Sequence, residues 1–403
     1  MSDPFKLEAY LERIGLVLPP GSMLSPTLSL LTEILLLHLK AITFENLELV
    51  MQRVPIDISI SAVQAKLVGQ KRGGYCFETN TLLLHALRAL GYAAAPLLCR
   101  VRFMKSPQTA TAFTHLALRV DLPGGGAGNG VKKSYLVDAG FGGAASNSPL
   151  ELVSPDSSPP SSPPGSPPQH TMDGTYRFLP FEDAKLGGGG GGADGGGGVV
   201  VLQVAKVQPA EATAAAADSA SAAAAAPAAA AAAVEREWMD LYAFSPLVEA
   251  SDIDMEVANW WSCTHPTKAR FTGSFFVSRV TGHIDAVRSV AVVERHHIQN
   301  GTYGVRSTSY PFDPSSSQPA AEEDEKNGNK TDLAVAAMMT PPTPTSVYRT
   351  QPVKGRADLD MLLLAVFGLD PAAVKTGSNG DLLYRYLPAD VRDKERGGGF
   401  LFS

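Results

Sequence analysis

Of 403 residues only three are cysteine, and one of them, Cys76, stands one residue after a Gly-Gly pair in the stretch RGGYCFETN (72–80). The residues that follow, CFETNTLLLHALRALGY, carry apolar side chains at helical spacing (Phe77, Leu82, Leu83, Leu84, Ala86, Leu87, Leu90) and stop at Gly91. The spacing predicts a helix with Cys76 in its first turn. Unsatisfied N–H groups and the positive end of the helix dipole favour an anion there. A thiol so placed has a lowered pKa and supplies thiolate near neutral pH. A free cysteine is as readily a small core residue, and position alone fits both readings.

A reactive thiolate needs a base and a group that orients the base. Among eight histidines, His115 lies in FTHLALRVDL, a strand pattern that puts Phe113, His115, Ala117 and Arg119 on one face. PGGGAGNG (123–130) and KKSYLVDAG follow, which is the pattern of a hairpin with a glycine-rich tip. With that tip centred between Gly126 and Ala127, His115 and Asp138 lie directly opposite each other, their Cβ atoms roughly 5 Å apart. Asp138 then enters the turn AGFGG, where functional side chains are often exposed. Singly, His115 reads as a core histidine and Asp138 as a turn residue. Taken together with Cys76 they suggest a Cys-His-Asp triad.

These residues need a scaffold, and the rest of the chain offers one. Helices are expected over Lys6–Ile14, Thr27–Lys40, Ser59–Leu67 and Cys76–Leu90, with AITFENLELVM (41–51) as an extended connection. From Tyr92 the pattern turns to short alternating runs: AAPLLCRVRFM, FTHLALRVDL, KKSYLVDAGF, and later LYAFSP, FTGSFFVSRV and AVRSVAVVERHHI. ADLDMLLLAVFGLD (357–370) reads as an amphipathic helix, and LLYRYLP and GFLFS close the chain. Ser/Pro, glycine and alanine tracts fill about 153–235, and a second polar stretch spans about 313–347. Their compositions lack core-forming side chains, so both are expected to be low-complexity insertions. The glycine tract lacks the Lys and Ser/Thr of a phosphate loop.

The formal charge of −6 and the lack of a Lys/Arg block argue against a nucleic-acid partner. No Cys-x-x-Cys pair occurs, which disfavours both a disulfide scaffold and a structural zinc, and no metal is expected. The run Leu28–Ile42, broken by Glu33, His38 and Lys40, reads as a core helix rather than a membrane span. A cytoplasmic protein is expected.

RGGYCFETN, FTHLALRV and YLVDAGFGG, in this order, resemble the motifs of the arylamine N-acetyltransferases. DPFKLEAYLERIG resembles that family's N-terminal helix, and HLKAITFENLEL and SPLELVS resemble two more of its segments. LYAFSPLVEASDIDMEVANWWSCTHPTKARF is similar to the entry of its third domain. The resemblance covers about 1–153 and 238–300 and, weakly, 355–403.

It implies an α+β, three-part fold with a papain-like Cys-His-Asp triad: a helical bundle over 1–90, a β-barrel-like domain over 91–245 and an α/β lid over 246–403. It further implies Cys76 as nucleophile, His115 as base and Asp138 as orienting carboxylate. The implied chemistry is ping-pong acyl transfer from acetyl-CoA, or another short acyl-CoA, to an arylamine, arylhydroxylamine or arylhydrazine. No cofactor would be permanently bound, acyl-CoA being a co-substrate, and a monomer is expected. Supporting roles fall on Arg72 with Glu45 and on Asn80; Tyr75, Phe113 and Phe141 would line the acceptor pocket; Thr111, Trp261 and Thr267 would contact coenzyme A. Gly143 and Ala145 stand where some relatives have larger residues, which would widen the pocket, and His265 and Lys268 could favour a dicarboxylic donor such as malonyl-CoA. An amide synthase or a thiol hydrolase with the same triad, and a non-enzymatic scaffold, are the rival readings.

Overall fold

The computed structural model describes residues 5–17, 25–52, 55–106, 109–123, 132–144, 146–152, 166–171, 174–181, 198–205, 237–265, 275–285, 290–299, 302–311, 345–354 and 356–370. The N-terminal part is mostly helical. Helix α1 (Leu7–Ile14) ends at Gly15, whose φ of 77° is the left-handed conformation that closes a helix. Helix α2 (Leu28–Ala41) starts at Thr27, whose side chain accepts from the Leu30 N–H. Helix α4 (Ile60–Gln64) runs into a π-helical turn at Ala65–Gly69. Helix α5 (Cys76–Ala89) begins at the cysteine itself. Tyr10, Leu31, Leu35, Leu83 and Leu87 pack these helices together and against Val120 of the neighbouring sheet. Each fully buried leucine contributes ~1.5–3 kcal/mol.

The stretch expected to be an extended connection is extended only at β1 (Phe44–Glu45). Leu47–Gln52 forms helix α3, because the Glu45 carboxylate turns to accept the Leu47 N–H at 2.7 Å and starts it. Strand β1 leaves the helical part to pair with a sheet of the region expected as a lid (the lid sheet), Phe44 opposite Ser278 and Glu45 opposite Val277.

Among the described residues the remaining strands complete two antiparallel sheets. Eight of them, β2 (Ala93–Val101), β3 (Phe113–Leu122), β4 (Lys133–Val137), β5 (Leu150–Glu151), β6 (Gln169–Thr171), β7 (Gly174–Pro180), β8 (Val200–Ala205) and β9 (Trp238–Phe244), lie in the order β5-β4-β3-β2-β9-β8-β7-β6. The edges of this sheet nearly meet. Gln169 of β6 spans the gap, its Oε1 accepting from Glu151 N at 2.7 Å and its Nε2 donating to Glu151 O at 2.8 Å. One side-chain amide thus imitates a missing ladder step, which caps two edges that would otherwise invite foreign strands. Leu97, Leu136, Tyr176, Phe178, Leu202 and Phe244 belong to the core of this barrel-like sheet.

Strands β6, β7 and β8 correct the reading of 153–235 as a single insertion, since they fall inside it and complete the barrel. Each is short and lies between residues of extreme composition, so its alternation was masked. Helix α6 (Asp252–Thr264) follows β9, and then β10 (Phe276–Asp285), β11 (Val290–Gln299), β12 (Thr302–Pro311) and β13 (Thr345–Pro352) join β1 in the order β1-β10-β11-β12-β13. Strand β13 begins inside the stretch expected to be a polar insertion. Helix α7 (Arg356–Ala365) packs through Leu359 and Leu363 on Val277 and Ile298 of this lid sheet. The closing segments LLYRYLP and GFLFS lie outside the described residues. Among the described residues no helix is long and apolar enough to cross a membrane.

Candidate active site

Both glycines before Cys76 are required by close approach. A Cβ on Gly73 would lie 2.1 Å from the Thr43 carbonyl oxygen, and one on Gly74 would lie 2.8 Å from Glu78 Cβ. The turn is stitched to β1, with Gly74 N donating to Thr43 O at 3.1 Å and Glu45 N to Gly74 O at 2.9 Å. Arg72 donates from Nε (3.1 Å) and Nη2 (2.7 Å) to Glu45 Oε1, and both residues are buried. The strand that enters the lid sheet therefore also anchors the turn that presents the thiol.

Cys76 is 2% exposed, and its Sγ lies 3.8 Å from the Thr114 carbonyl on β3. Burial pushes this thiol's pKa up; the backbone amides of Leu116 and Phe77 pull it down, while the Asp138 charge raises it again. The net direction is upward, contrary to the expectation from the helix start alone. Desolvation in the enclosed site outweighs the first-turn amides.

His115 stands between Thr114 and Leu116, the two β3 residues whose backbone groups meet the sulfur. Its Nε2 lies 2.8 Å from Asp138 Oδ2, with both groups buried. The two are not directly opposite, as the hairpin had suggested. The β3–β4 ladder pairs Leu118 with Val137 and Leu122 with Lys133, so its next step would set Asp138 beside Ala117. The connection is centred further along the chain than the glycine tip implied. A shift of two residues preserves the face, and the imidazole reaches the carboxylate diagonally.

Asp138 is held by four donors. Oδ1 accepts from Asn80 Nδ2 (3.0 Å) and Gly140 N (2.8 Å), while Oδ2 accepts from His115 Nε2 and from Tyr242 OH (2.9 Å). Burial alone would push its pKa up; the His115 charge and the bonds from His115, Asn80 and Gly140 overcome that and hold it below the ordinary carboxylate value. Asn80, one turn along α5 from Cys76, also donates to Leu116 O (2.6 Å) and accepts from Ala139 N (2.9 Å). A single amide thereby ties the helix of Cys76 to both strands of the His–Asp pair. Gly140 makes room for that approach, because a Cβ there would sit 2.6 Å from Cys76 Cα.

Phe141 packs edge-on against the His115 ring at 5.0 Å, and Tyr242 covers it at 4.8 Å. Tyr242 was read only as part of a strand; nothing in LYAFSP sets its hydroxyl apart from an ordinary apolar alternation. Phe113 is 40% exposed and carries the Arg100 guanidinium over its ring at 3.9 Å. Tyr75, expected to line a pocket, is instead wholly buried, its hydroxyl donating to Asn259 Oδ1 and lying 3.5 Å from Cys263 Sγ. Its phenol fills the seam between α5 and α6 because the chain turns inward there, and it serves to seat α6. Thr111 leads into β3, with its carbonyl accepting from Arg100. Trp261 lies on α6, its ring 4.2 Å from that of His265. Thr267, Lys268 and Ala145 lie outside the described residues, and Gly143 has Phe276 and Ser278 as neighbours. Among the described residues no group of three or more His, Cys, Asp or Glu could hold a metal ion.

Comparison with known proteins gives a consistent result. A sequence profile described as N-acetyltransferase matches residues 27–165. The arylamine N-acetyltransferase of Mycolicibacterium smegmatis is 31% identical over 276 residues, covering 68% of this chain and 74% of that protein. Its counterpart from Mycobacterium tuberculosis is 32% identical over 269 residues, covering 66% and 72%. The solved structure of Mycobacterium marinum arylamine N-acetyltransferase in complex with CoA superimposes with a TM-score of 0.59 at 25% identity, covering 94% of this chain and 98% of that one.

Proposed function

Because the chain belongs to the arylamine N-acetyltransferase family, as an acyl-CoA-dependent acyltransferase, we propose that it transfers the acetyl or another short acyl group of acyl-CoA to the nitrogen of an arylamine, arylhydroxylamine or arylhydrazine through an acyl-Cys76 intermediate. The observation that carries the intermediate is the joining of three groups in one buried site: Cys76 Sγ against the backbone that flanks His115, and His115 Nε2 bonded to Asp138. An ionised Asp138 can only accept, so Nε2 carries the hydrogen of that bond and the free lone pair belongs to Nδ1.

His115 Nδ1 takes the Cys76 proton as the sulfur attacks the thioester carbonyl. The tetrahedral oxyanion collapses, the C–S bond to coenzyme A breaks, and the imidazolium returns the proton to the departing thiolate. The amine then attacks the acyl-Cys76 carbonyl, passes its proton to His115, and expels the Cys76 sulfur. His115 protonates that sulfur and the cycle closes. The Cys76 N–H at the head of α5 is a candidate donor to the oxyanion. Phe141, at the His115 ring, is the proposed wall of the amine pocket, with Phe113 further along β3. Thr111, Trp261 and Thr267 are the proposed coenzyme A contacts. The engagement of His265 with Trp261 ties that side chain to the proposed cofactor side.

Initial-rate measurements with both substrates varied test the scheme. Parallel double-reciprocal lines with acetyl-CoA and an arylamine are expected. Intersecting lines would exclude a free acyl-enzyme, and consumption of acyl-CoA at an unchanged rate without amine would favour the thiol hydrolase.

A further inference from the structure

The π-helical turn Ala65–Gly69 has no evident part in the triad, yet it carries Lys66 to the head of the nucleophile's helix. Lys66 Nζ lies 2.7 Å from Glu78 Oε1 and 2.6 Å from Glu48 Oε2, with 11% of its side chain exposed. Glu78 is 1% exposed, and its other oxygen accepts the Tyr75 N–H at 3.1 Å, immediately before Cys76. This is the reach of a third-position glutamate back to the N-cap amide. Gly74 lacks a Cβ where Glu78 passes, so backbone and carboxylate are in contact through the whole turn.

Resting on the proposed role of Cys76, we propose that Lys66 is a positioning residue for the nucleophile: it neutralises the buried Glu78 carboxylate, so that the carboxylate can cap the turn before Cys76 without opposing the thiolate. The charges that meet at this point are Glu45, Glu48, Glu78, Arg72 and Lys66, with Tyr75, Cys263 and Asp138 facing it from α5's own start, from α6 and from the turn after β4. Arg72 is already committed to Glu45, which leaves Lys66 to balance Glu78 and Glu48. Glu78 and Lys66 act in opposite directions on the Cys263 thiol, whose sulfur lies 3.5 Å from the hydroxyl of Tyr75, the residue before Cys76. Lifting the lysine away would leave the two carboxylates uncompensated. A Glu78 carboxylate that keeps its cap to the Tyr75 N–H without the lysine sets an unbalanced charge against a thiolate at Cys76.

The test reads Cys76 by iodoacetamide alkylation across pH, with the modified peptide identified by mass so that Cys99 and Cys263 are not counted. Lys66→Met is expected to move the alkylation midpoint to higher pH and to slow alkylation at pH 7 roughly tenfold, the equivalent of one pKa unit. Lys66→Arg is expected to keep the wild-type profile, and Lys66→Met/Glu78→Gln to return most of the way to it. Glu78→Gln alone is expected to move the midpoint downward, and this arm decides the matter if Lys66→Met does not fold. A profile unmoved in Lys66→Met, or in Glu78→Gln should that arm decide, would overturn the proposal, as would a shift in Lys66→Met that the double variant fails to relieve. Alkylation needs no acyl-CoA, so the result stands apart from whether the wild-type protein accepts that donor.

Discussion

The two ends of the proposed triad are held in opposite ways. Asp138 accepts four hydrogen bonds from Asn80, Gly140, His115 and Tyr242, all between 2.8 and 3.0 Å. The Cys76 sulfur lies 3.8 Å from the Thr114 carbonyl with the backbone amides of Leu116 and Phe77 beside it, and burial still raises its pKa. The carboxylate end is therefore preorganised as an anion, whereas the thiol end favours the neutral form and, on the proposed mechanism, becomes reactive by giving its proton to His115. Such an arrangement places the rigid part of the site around the orienting group and leaves the atom that must form and break bonds lightly constrained.

The largest expected effect comes from removing the thiol. Cys76→Ser should lower acyl transfer on the order of 10⁴-fold or more, since members of a triad act as a unit. Its melting temperature should stay close to the wild-type value, because little holds the sulfur. Asp138→Asn strikes the other end. Loss of the carboxylate spoils the imidazole tautomer and should cost on the order of 10⁴-fold in kcat/KM. Here stability should fall too, by ~1–3 kcal/mol, as an amide group is set against buried donors. Two variants with similar loss of activity and unequal loss of stability would sharpen the contrast; equal stability losses would break it.

Asn80→Ala comes next. It leaves Leu116 O and Ala139 N without their partner and removes one donor from Asp138. Unfolding free energy should drop by ~2–4 kcal/mol as those groups lose their bonds, measured by urea titration. Activity should fall tens of fold by the same geometric loosening, on the order of 2 kcal/mol in the barrier. Tyr242→Phe keeps the ring against His115 and removes only the hydroxyl. Loss of that one bond, about 1 kcal/mol, should lower kcat/KM roughly fivefold.

A pH experiment completes the series. The folded-state pKa of Asp138 is depressed, so its contribution to stability is present above the unfolded value of 3.8 and lost as pH falls through the lower folded value. The difference in unfolding free energy between wild type and Asp138→Asn should be constant at neutral pH and close only in strong acid. With Asp138 ionised between pH 7 and 5, any loss of activity in that range does not arise from its protonation.

Much of this site was legible in the sequence because it is built from local signals. The Gly-Gly-Tyr-Cys turn, the helical spacing after it, and a ten-residue alternating strand mark Cys76 and His115, and the structure begins α5 at Cys76 and spans β3 from Phe113 to Leu122. The pairing of His115 with Asp138 was read on the correct face but in the wrong register, since a glycine-rich tip does not reveal where its ladder ends. Tyr242 could not be singled out, because its bond to Asp138 joins residues 104 positions apart. The raised thiol pKa escaped for a similar reason: helix position is local, whereas desolvation depends on everything that closes over the sulfur. Strands β6 to β8 stayed hidden between tracts whose composition overwhelms short alternations. Glu78, by contrast, stood in plain view three residues after the N-cap, although its lysine did not.

The most direct measurement is the intact mass of the protein after mixing with acetyl-, propionyl- or malonyl-CoA, with Cys76→Ser alongside. The account predicts a mass gain equal to the donor's acyl group, located on Cys76, lacking in the serine variant and discharged when an arylamine is added. A folded protein with a titratable Cys76 thiol that gains no mass from any of these donors would contradict it.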